Sequence, residues 1–146
     1  MWGERLFIPG PTNVPAEILS AGARQTTDHR GEAFRTLYAE VRTGIAELGS
    51  ASDAVILPSS GTGGLEAVAH SLLHPGMRVL AAVAGAFGER FARVAELCGA
   101  KVERMAFPWG APIDPDAVSA RAREGAFEAI LLTQNETSTG VLHPVD

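Results

Sequence analysis

The chain is poor in lysine, in cysteine and in long apolar runs. Its 146 residues include one lysine, Lys101, against eleven arginines, and one cysteine, Cys98. A single cysteine excludes an internal disulfide. The formal net charge of −5 argues against a nucleic-acid partner, which favours a basic face. No apolar run approaches the roughly 20 residues of a membrane-spanning helix, so we expect no membrane partner.

The position of Lys101 restricts the chemistry that the chain can perform. Residues 99–103 are predicted to begin a buried strand, so a reaction that needs a lysine nucleophile has no evident residue here. With 46% hydrophobic and 20% charged residues, the composition is that of a globular protein. Residues 1–10 do not resemble a signal peptide, and we therefore expect a cytoplasmic protein.

Apolar spacing predicts an N-terminal arm followed by an α/β domain. The predicted helices cover residues 15–23, 31–48, 62–73, 87–98 and 114–124, and the predicted strands cover 53–58, 78–83, 101–106 and 128–133. Strands that alternate with helices predict a mostly parallel sheet. The sequence stops in a strand-to-helix loop with no helix after it, so we interpret the chain as part of a longer protein.

A glycine-rich segment at residues 59–64, SSGTGG, follows a predicted strand and opens a predicted helix. Backbone N–H groups at a helix N-terminus favour an anion, and glycines allow close approach to it. Ser60 and Thr62 add hydroxyl donors. The segment therefore predicts a phosphate site, with a turn that only connects strand to helix as the alternative.

Two nucleotide-binding motifs do not fit this segment. A dinucleotide fingerprint that starts at Gly61 needs glycine where Glu66 stands. A nucleotide P-loop needs glycine before its lysine, but Lys101 is preceded by Ala100. The phosphate is therefore expected to belong to a small cofactor or metabolite rather than to ATP.

Two further segments leave the carboxyl ends of predicted strands, where open α/β sheets bind ligands. Residues 84–90 place Phe87 between small residues, where its ring could stack on a planar ligand; a core phenylalanine is the alternative. Residues 133–140 are consecutive polar residues or glycine, which is unusual for a mere connector. Their hydroxyls are expected to face the same crevice as the phosphate segment.

A metal site is the least favoured candidate. Glu66, His70 and His74 are spaced four apart on one face of a predicted helix, a geometry that can bind a metal. His74 lies at the helix end, so we favour surface histidines and no metal. Cys98 and Trp109 are interpreted as packing residues.

Together these motifs resemble the class V aminotransferases of pyridoxal-phosphate (PLP) fold type I, and in particular the alanine–glyoxylate or serine–pyruvate group. The similarity runs over nearly the whole chain. It is carried by residues 9–14 (PGPTNV), 28–30 (DHR), 60–67 (SGTGGLEA), 87–90 (FGER) and 135–141 (NETSTGV).

The resemblance implies a PLP site at the three loops. Ser60, Gly61 and Thr62 would hold the PLP phosphate. Phe87 would stack on the pyridine ring, where relatives often carry tryptophan, and Thr137 would hydrogen-bond near the phenolic oxygen. The implied fold is a mostly parallel, three-layer α/β sheet that forms part of the large PLP-binding domain.

The resemblance also implies what this chain lacks. Residues 1–25 would be an N-terminal arm and short helix, with Gly10 near the substrate, and residues 26–146 an incomplete large domain. Relatives continue with an aspartate for the pyridinium nitrogen, the Schiff-base lysine and a small domain. None of these can be assigned here, so no catalytic residue lies in this chain.

The implied activity is amino-group transfer from a small amino acid of alanine or serine type to a 2-oxo acid of glyoxylate or pyruvate type. The chain alone is expected to be inactive and to act in a homodimer or with a companion chain that carries the missing half. Two alternatives stay open. One is a non-catalytic phosphate- or PLP-binding module or partner subunit, and the other is an unrelated α/β phosphate-binding domain.

Overall fold

The computed structural model describes residues 5–145, which form two compact units divided between residues 58 and 59. This division differs from the predicted boundary at residues 25 and 26. That boundary separates an arm from a domain of the longer fold and stays a prediction. Each unit is described by itself.

The first unit contains α1 (Ala16–Gly22) and α2 (Glu32–Leu48), which confirm two predicted helices. Pro15 precedes α1 because its fixed φ suits a helix start. Gly31 and Gly49 flank α2, and Gly49 ends it without entering the left-handed region. A bidentate ion pair between Arg42 and Asp53, with N–O distances of 2.6 and 3.1 Å, joins α2 to the segment after it.

The strand predicted over residues 53–58 is wrong. These residues are extended but form no strand, because no other described segment supplies a hydrogen-bonding ladder for them. Val55 is 80% exposed and Leu57 is 45% exposed. An apolar run therefore predicted the extended backbone correctly but not the strand pairing.

The second unit is an α/β layer structure. Its helices are α3 (Gly61–Leu72), α4 (Ala86–Leu97) and α5 (Pro115–Glu124), and its parallel strands are β1 (Arg78–Val83), β2 (Lys101–Ala106) and β3 (Ala129–Leu131). The strand order is β2-β1-β3, with β1 in the centre. The predicted α/β class with a parallel sheet is confirmed.

The core lies on both faces of β1. Val79, Ala81 and Val83 pack with Ala92 and Ala95 of α4 on one face. Leu80, Ala82 and Ala84 pack on the other face, against Ile113 and Val118 at α5. Alternate residues of β1 face opposite layers, so both faces of this central strand are covered by helices.

The outer edge of β3 is less well covered. The strand is shorter than the predicted 128–133, and Ile130 and Leu132 are 44% and 38% exposed. They line an apolar groove of about 510 Å³ together with Val68 and Leu72 of α3. The sheet therefore presents an apolar surface at this edge.

A short antiparallel hairpin follows β3. Its strands are β4 (Asn135–Glu136) and β5 (Val141–Leu142), with Asn135 paired to Leu142. The prediction treated this segment as a polar loop and missed the pairing. The hairpin is held to the rest of the unit by His143, whose Nδ1 accepts the Ile113 N–H at 3.1 Å.

Candidate functional site

The glycine-rich segment forms an open helix N-terminus. Ser60 is the N-cap of α3, and its Oγ accepts the Gly63 N–H at 3.4 Å. A Cβ on Gly63 would overlap the side chain of Ser59, whereas a Cβ on Gly61 or Gly64 would meet nothing within 4 Å. The Gly63 N–H bonds the Ser60 hydroxyl and the Gly64 N–H bonds the Ser60 carbonyl, so the N–H groups of Gly61 and Thr62 are the ones left for a ligand. That arrangement suits an anion at the helix N-terminus.

Arg90 on α4 connects this N-terminus to Phe87. Its Nη1 donates to Thr62 Oγ1 at 3.1 Å, and its guanidinium carbon lies 5.2 Å from the centre of the Phe87 ring. A cation over an aromatic face is attracted by the ring quadrupole. The Phe87 side chain is half-buried, so one face of its ring is held by Arg90.

Glu136 connects the start of α4 to the polar segment. This residue is fully buried, with 0% of its surface exposed. Its carboxylate accepts the N–H groups of Phe87, Gly88 and Ser138 and the hydroxyl of Ser138. Burial raises the pKa of Glu136, but these hydrogen bonds outweigh burial, so the pKa lies below its ordinary value. The carboxylate is therefore charged in the folded protein at neutral pH.

Gly85 makes room for this carboxylate. A Cβ at Gly85 would overlap Cγ and Cδ of Glu136 and lie 2.8 Å from Oε2. A Cβ at Gly88 would lie 3.3 Å from the backbone of Val83. The small residues on both sides of Phe87 are thus explained by close packing against β1 and against Glu136.

The polar segment turns tightly beside α4. The Ser138 hydroxyl accepts the Ala86 N–H at 3.0 Å and donates to Glu136 Oε1 at 2.5 Å. Thr139 Oγ1 donates to the Glu136 carbonyl at 3.3 Å. Thr137 lies between them and is half-buried. The structure thus brings the segments that carry Phe87 and Thr137 together, as the sequence predicted.

The remaining candidates lie elsewhere. Gly10 is in the first unit, so its contact with substrate stays a prediction. Lys101 begins β2 opposite Arg78, the first residue of β1. It therefore lies at the amino end of the parallel sheet, whereas Phe87 follows the carboxyl end. A six-residue strand separates these ends by about 17 Å.

The histidines do not form a metal cluster. Among residues 5–145, no group of three or more His, Cys, Asp or Glu side chains is placed to hold a metal. His70 lies 3.6 Å from the sulfur of Cys98. Cys98 is buried with Ala69, which confirms its packing role. Trp109 is 65% exposed, so its assignment as a packing residue was wrong.

Arg90 and Glu136 are the two site residues that the sequence did not single out. Arg90 stands three positions after Phe87, so a helix places both on one face. That spacing could have identified it. Glu136 is the one acidic residue in a polar segment that follows a strand, but nothing in the spacing predicts that its carboxylate is buried.

This unit belongs to the class of open α/β folds whose ligands bind at the carboxyl ends of parallel strands. The family model described as Aminotransferase class-V matches residues 6–146. The chain belongs to this family, and its fold is that of the PLP fold type I aminotransferases.

Relatives agree in sequence and in structure. The chain is 38% identical over 142 residues to the soluble hydrogenase 42 kDa subunit of Anabaena cylindrica, covering 94% of this chain and 37% of that protein. It is 34% identical over 141 residues to the L-aspartate–glyoxylate aminotransferase of Paracoccus denitrificans, covering 93% of this chain and 36% of that protein. The crystal structure of aspartate aminotransferase subgroup IV from Thermus thermophilus superimposes with a TM-score of 0.89 at 36% identity, covering 96% and 39%. The chain thus spans little more than a third of the length of these proteins.

None of the helices described between residues 5 and 145 combines the length and apolarity required to cross a membrane.

Proposed function

We propose that this chain is the cofactor-binding part of a PLP-dependent aminotransferase. The proposal is carried by one observation. Arg90 and Glu136 join the open N-terminus of α3, the Phe87 ring and the Thr137 segment into one site. A phosphate cradle, an aromatic face and a polar edge are the three features that a phosphorylated pyridine requires.

The residues present fit this cofactor. Ser60, Gly61 and Thr62 would hold the phosphate at the start of α3, where a Cβ on Gly61 would meet nothing within 4 Å and the helix N-terminus favours a dianion. Phe87 would offer an aromatic ring for stacking beside this cradle. Thr137 offers a hydroxyl at the edge. When bound, PLP supplies an electron sink for the transfer of an amino group.

The substrates we propose are a small amino acid of alanine or serine type and a 2-oxo acid of glyoxylate or pyruvate type, with Gly10 near them. This proposal is supported by the family and by the names of several relatives. One of them is an alanine–glyoxylate aminotransferase of Oryctolagus cuniculus, 34% identical over 143 residues.

The chain alone is proposed to be inactive. Its one lysine, Lys101, lies at the amino end of β2, about 17 Å of strand away from the carboxyl end where Phe87 lies. A lysine that reacts with the cofactor must therefore come from another segment or another chain. Cytoplasmic location belongs to the same proposal.

A homodimer is proposed from the surface of α2. Leu37, Val41, Ile45 and Leu48 are exposed on this helix, and Leu48 is 90% exposed. Apolar surface of this kind marks an interaction site. Sedimentation velocity on the 146-residue chain tests this: a dimer at micromolar concentration agrees with the proposal, and a monomer that persists at 100-fold higher concentration contradicts it.

The function is tested by measuring which part of the cofactor the chain recognises. Equilibrium dialysis compares PLP with pyridoxal, which lacks the phosphate. We expect PLP to bind at least tenfold more tightly, and we expect Ser60→Ala to reduce that preference severalfold. Ser71→Ala is the matched control, because Ser71 lies on the same helix and donates only to the Ala67 carbonyl.

Lys101→Arg provides the second control. It removes the only side-chain amine that could capture the PLP aldehyde, and we expect it to leave affinity unchanged. Equal affinity for PLP and pyridoxal would contradict the phosphate assignment. Transamination of alanine and glyoxylate by the chain alone would contradict the proposed inactivity.

A further inference from the structure

Glu136 is a buried charge that joins two segments of the proposed site, but its effect on ligand recognition has not been assigned. Carboxylates are almost never fully buried unless they are paired, yet this one forms no ion pair with a cationic side chain among residues 5–145. Its partners are backbone N–H groups and one hydroxyl. Taking a carboxylate out of water is expensive, so this arrangement calls for an explanation.

The two oxygens of the Glu136 carboxylate together bind the start of α4 and the turn at Ser138. Oε1 accepts from Phe87 N–H at 3.2 Å, from Ser138 N–H at 3.3 Å and from Ser138 Oγ at 2.5 Å. Oε2 accepts from Gly88 N–H at 2.9 Å. The Ser138 hydroxyl also accepts the Ala86 N–H. The start of α4 and the turn after β4 are therefore joined by two side chains, Glu136 and Ser138, and Glu136 makes more of these bonds.

We propose that Glu136 is a positioning residue that fixes the Phe87 ring and the Thr137 hydroxyl relative to each other. Recognition of the ligand's ring depends on it, whereas recognition of the phosphate does not. This inference rests on the proposed function, because it assumes that Phe87 and Thr137 contact a planar phosphorylated ligand.

The position requires a carboxylate of this length. A glutamine has one oxygen, so its amide NH₂ would face a backbone N–H of either Phe87 or Gly88. An aspartate is one methylene shorter and would not reach both segments. A negative charge also complements the positive end of α4, since charge-assisted hydrogen bonds are about twice as strong as neutral ones.

The Glu136 carboxylate does not itself bond the phosphate segment, which is linked to α4 through the Arg90 side chain. The hydrogen-bond partners of the Glu136 carboxylate lie at residues 87, 88 and 138. Ser60 is instead the cap of α3, and its Oγ bonds Gly63. Loss of the carboxylate should therefore weaken ring recognition without disturbing the cradle at α3.

The experiment compares two ligands in Glu136→Gln. PLP reports on phosphate and ring together, and inorganic phosphate reports on the α3 cradle alone. We expect PLP affinity to fall about tenfold, because one charge-assisted hydrogen bond is lost and one donor is left unpaired. Inorganic phosphate affinity should stay within about twofold. Glu103→Gln is the matched control, since this carboxylate pairs with Arg121 and touches neither segment.

If Glu136→Gln does not fold, Ser138→Ala provides a second test of the same inference. It removes the hydroxyl that joins Ala86 to the carboxylate, and we expect the same selective loss at smaller size. In a Phe87→Leu background, Glu136→Gln should cost little more PLP affinity than Phe87→Leu alone. Equal weakening of PLP and phosphate, or unchanged PLP affinity in a folded Glu136→Gln, overturns the inference.

Failure of the proposed function gives a different result. In that case the unaltered chain binds neither PLP nor phosphate. Hydrogen exchange without any ligand then decides the inference about Glu136. Faster exchange at the amides of Phe87, Gly88 and Ser138 in Glu136→Gln, with the rest of β1 and α4 unchanged, supports the positioning role. Unchanged exchange at all three amides overturns it.

Discussion

Replacing Gly85 with alanine should destabilise the protein, although its backbone suits any residue. Gly85 has φ 176° and ψ −172°, an extended conformation that carries no penalty for a side chain. The added methyl would instead overlap Cγ and Cδ of Glu136. Because Gly85 and Glu136 are both buried, neither can move into solvent without breaking contacts.

The cost can be worked out from those contacts. Overpacking a buried site costs about 1–3 kcal/mol. A displaced carboxylate also loses its bond to Phe87 or Gly88, and a hydrogen bond to a charged group contributes about 1.5–3 kcal/mol. Partial relaxation reduces the sum, so we expect Gly85→Ala to lower the free energy of unfolding by about 3 kcal/mol. For a chain of this length that corresponds to a fall of about 10 °C in Tm.

Urea unfolding followed by circular dichroism measures this loss, and a double-mutant cycle tests its cause. In a Glu136→Ala background the clashing atoms are absent, so Gly85→Ala should cost less than 1 kcal/mol there. Gly44→Ala is the control, because its methyl meets nothing within 4 Å in α2 and should be neutral or stabilising. The same cost of Gly85→Ala in both backgrounds would refute the reasoning.

Two further predictions concern charged side chains of α4. Arg104, through its hydrogen bond, lowers the pKa of Glu96 to about 2. A depressed carboxyl pKa contributes stability that is complete above the ordinary value of 4.5 and is lost as pH falls towards 2. Glu96→Gln should therefore flatten the acid limb of the curve of unfolding free energy against pH. An unchanged acid limb would contradict this. Arg90→Gln should weaken PLP binding about fivefold by removing the cation from the Phe87 ring and the donor from Thr62, whereas Arg90→Lys should restore only part of the loss because a lysine lacks the planar fork.

Much of the second unit follows from local sequence patterns. The boundaries of α4 and β1 agree with prediction to within a residue or two, because apolar period and turn chemistry act over short distances. Asp114 shows this clearly: its side chain accepts the N–H groups of Asp116 and Ala117 and begins α5, as its position before Pro115 predicts.

Pairing was harder to predict, because it depends on partners that are distant in sequence. Residues 53–58 have the composition of a strand but no ladder among the described residues. Asn135 and Glu136 have the composition of a loop yet pair with residues 141–142. The pattern of apolar and polar residues indicates how readily a segment becomes extended. Only the tertiary fold determines which segments lie beside it.

The site was predictable by segment but not by contact. Ser60 was identified because its glycine-rich segment opens a predicted helix, and Phe87 because it lies between small residues at the exit of a predicted strand. Arg90 and Glu136 were not, because their importance lies in atoms that meet across 28 and 49 residues of chain. Contacts between residues so far apart in the chain leave no signal in the spacing of residue types.

The N-termini of the neighbouring helices α3 and α4 differ in the groups that already occupy them. Both α3 and α4 follow a turn rich in small residues, and the sequence predicted a phosphate at the turn before α3 and a stacking ring at the turn before α4. At α4 the amides of Phe87 and Gly88 are already occupied by the buried carboxylate of Glu136, which would repel a second anion. At α3 the cap is a neutral hydroxyl, and the space beside Gly61 and Gly64 is open. The phosphate that we propose at α3 would therefore displace no charge, whereas an anion at α4 would have to compete with the Glu136 carboxylate.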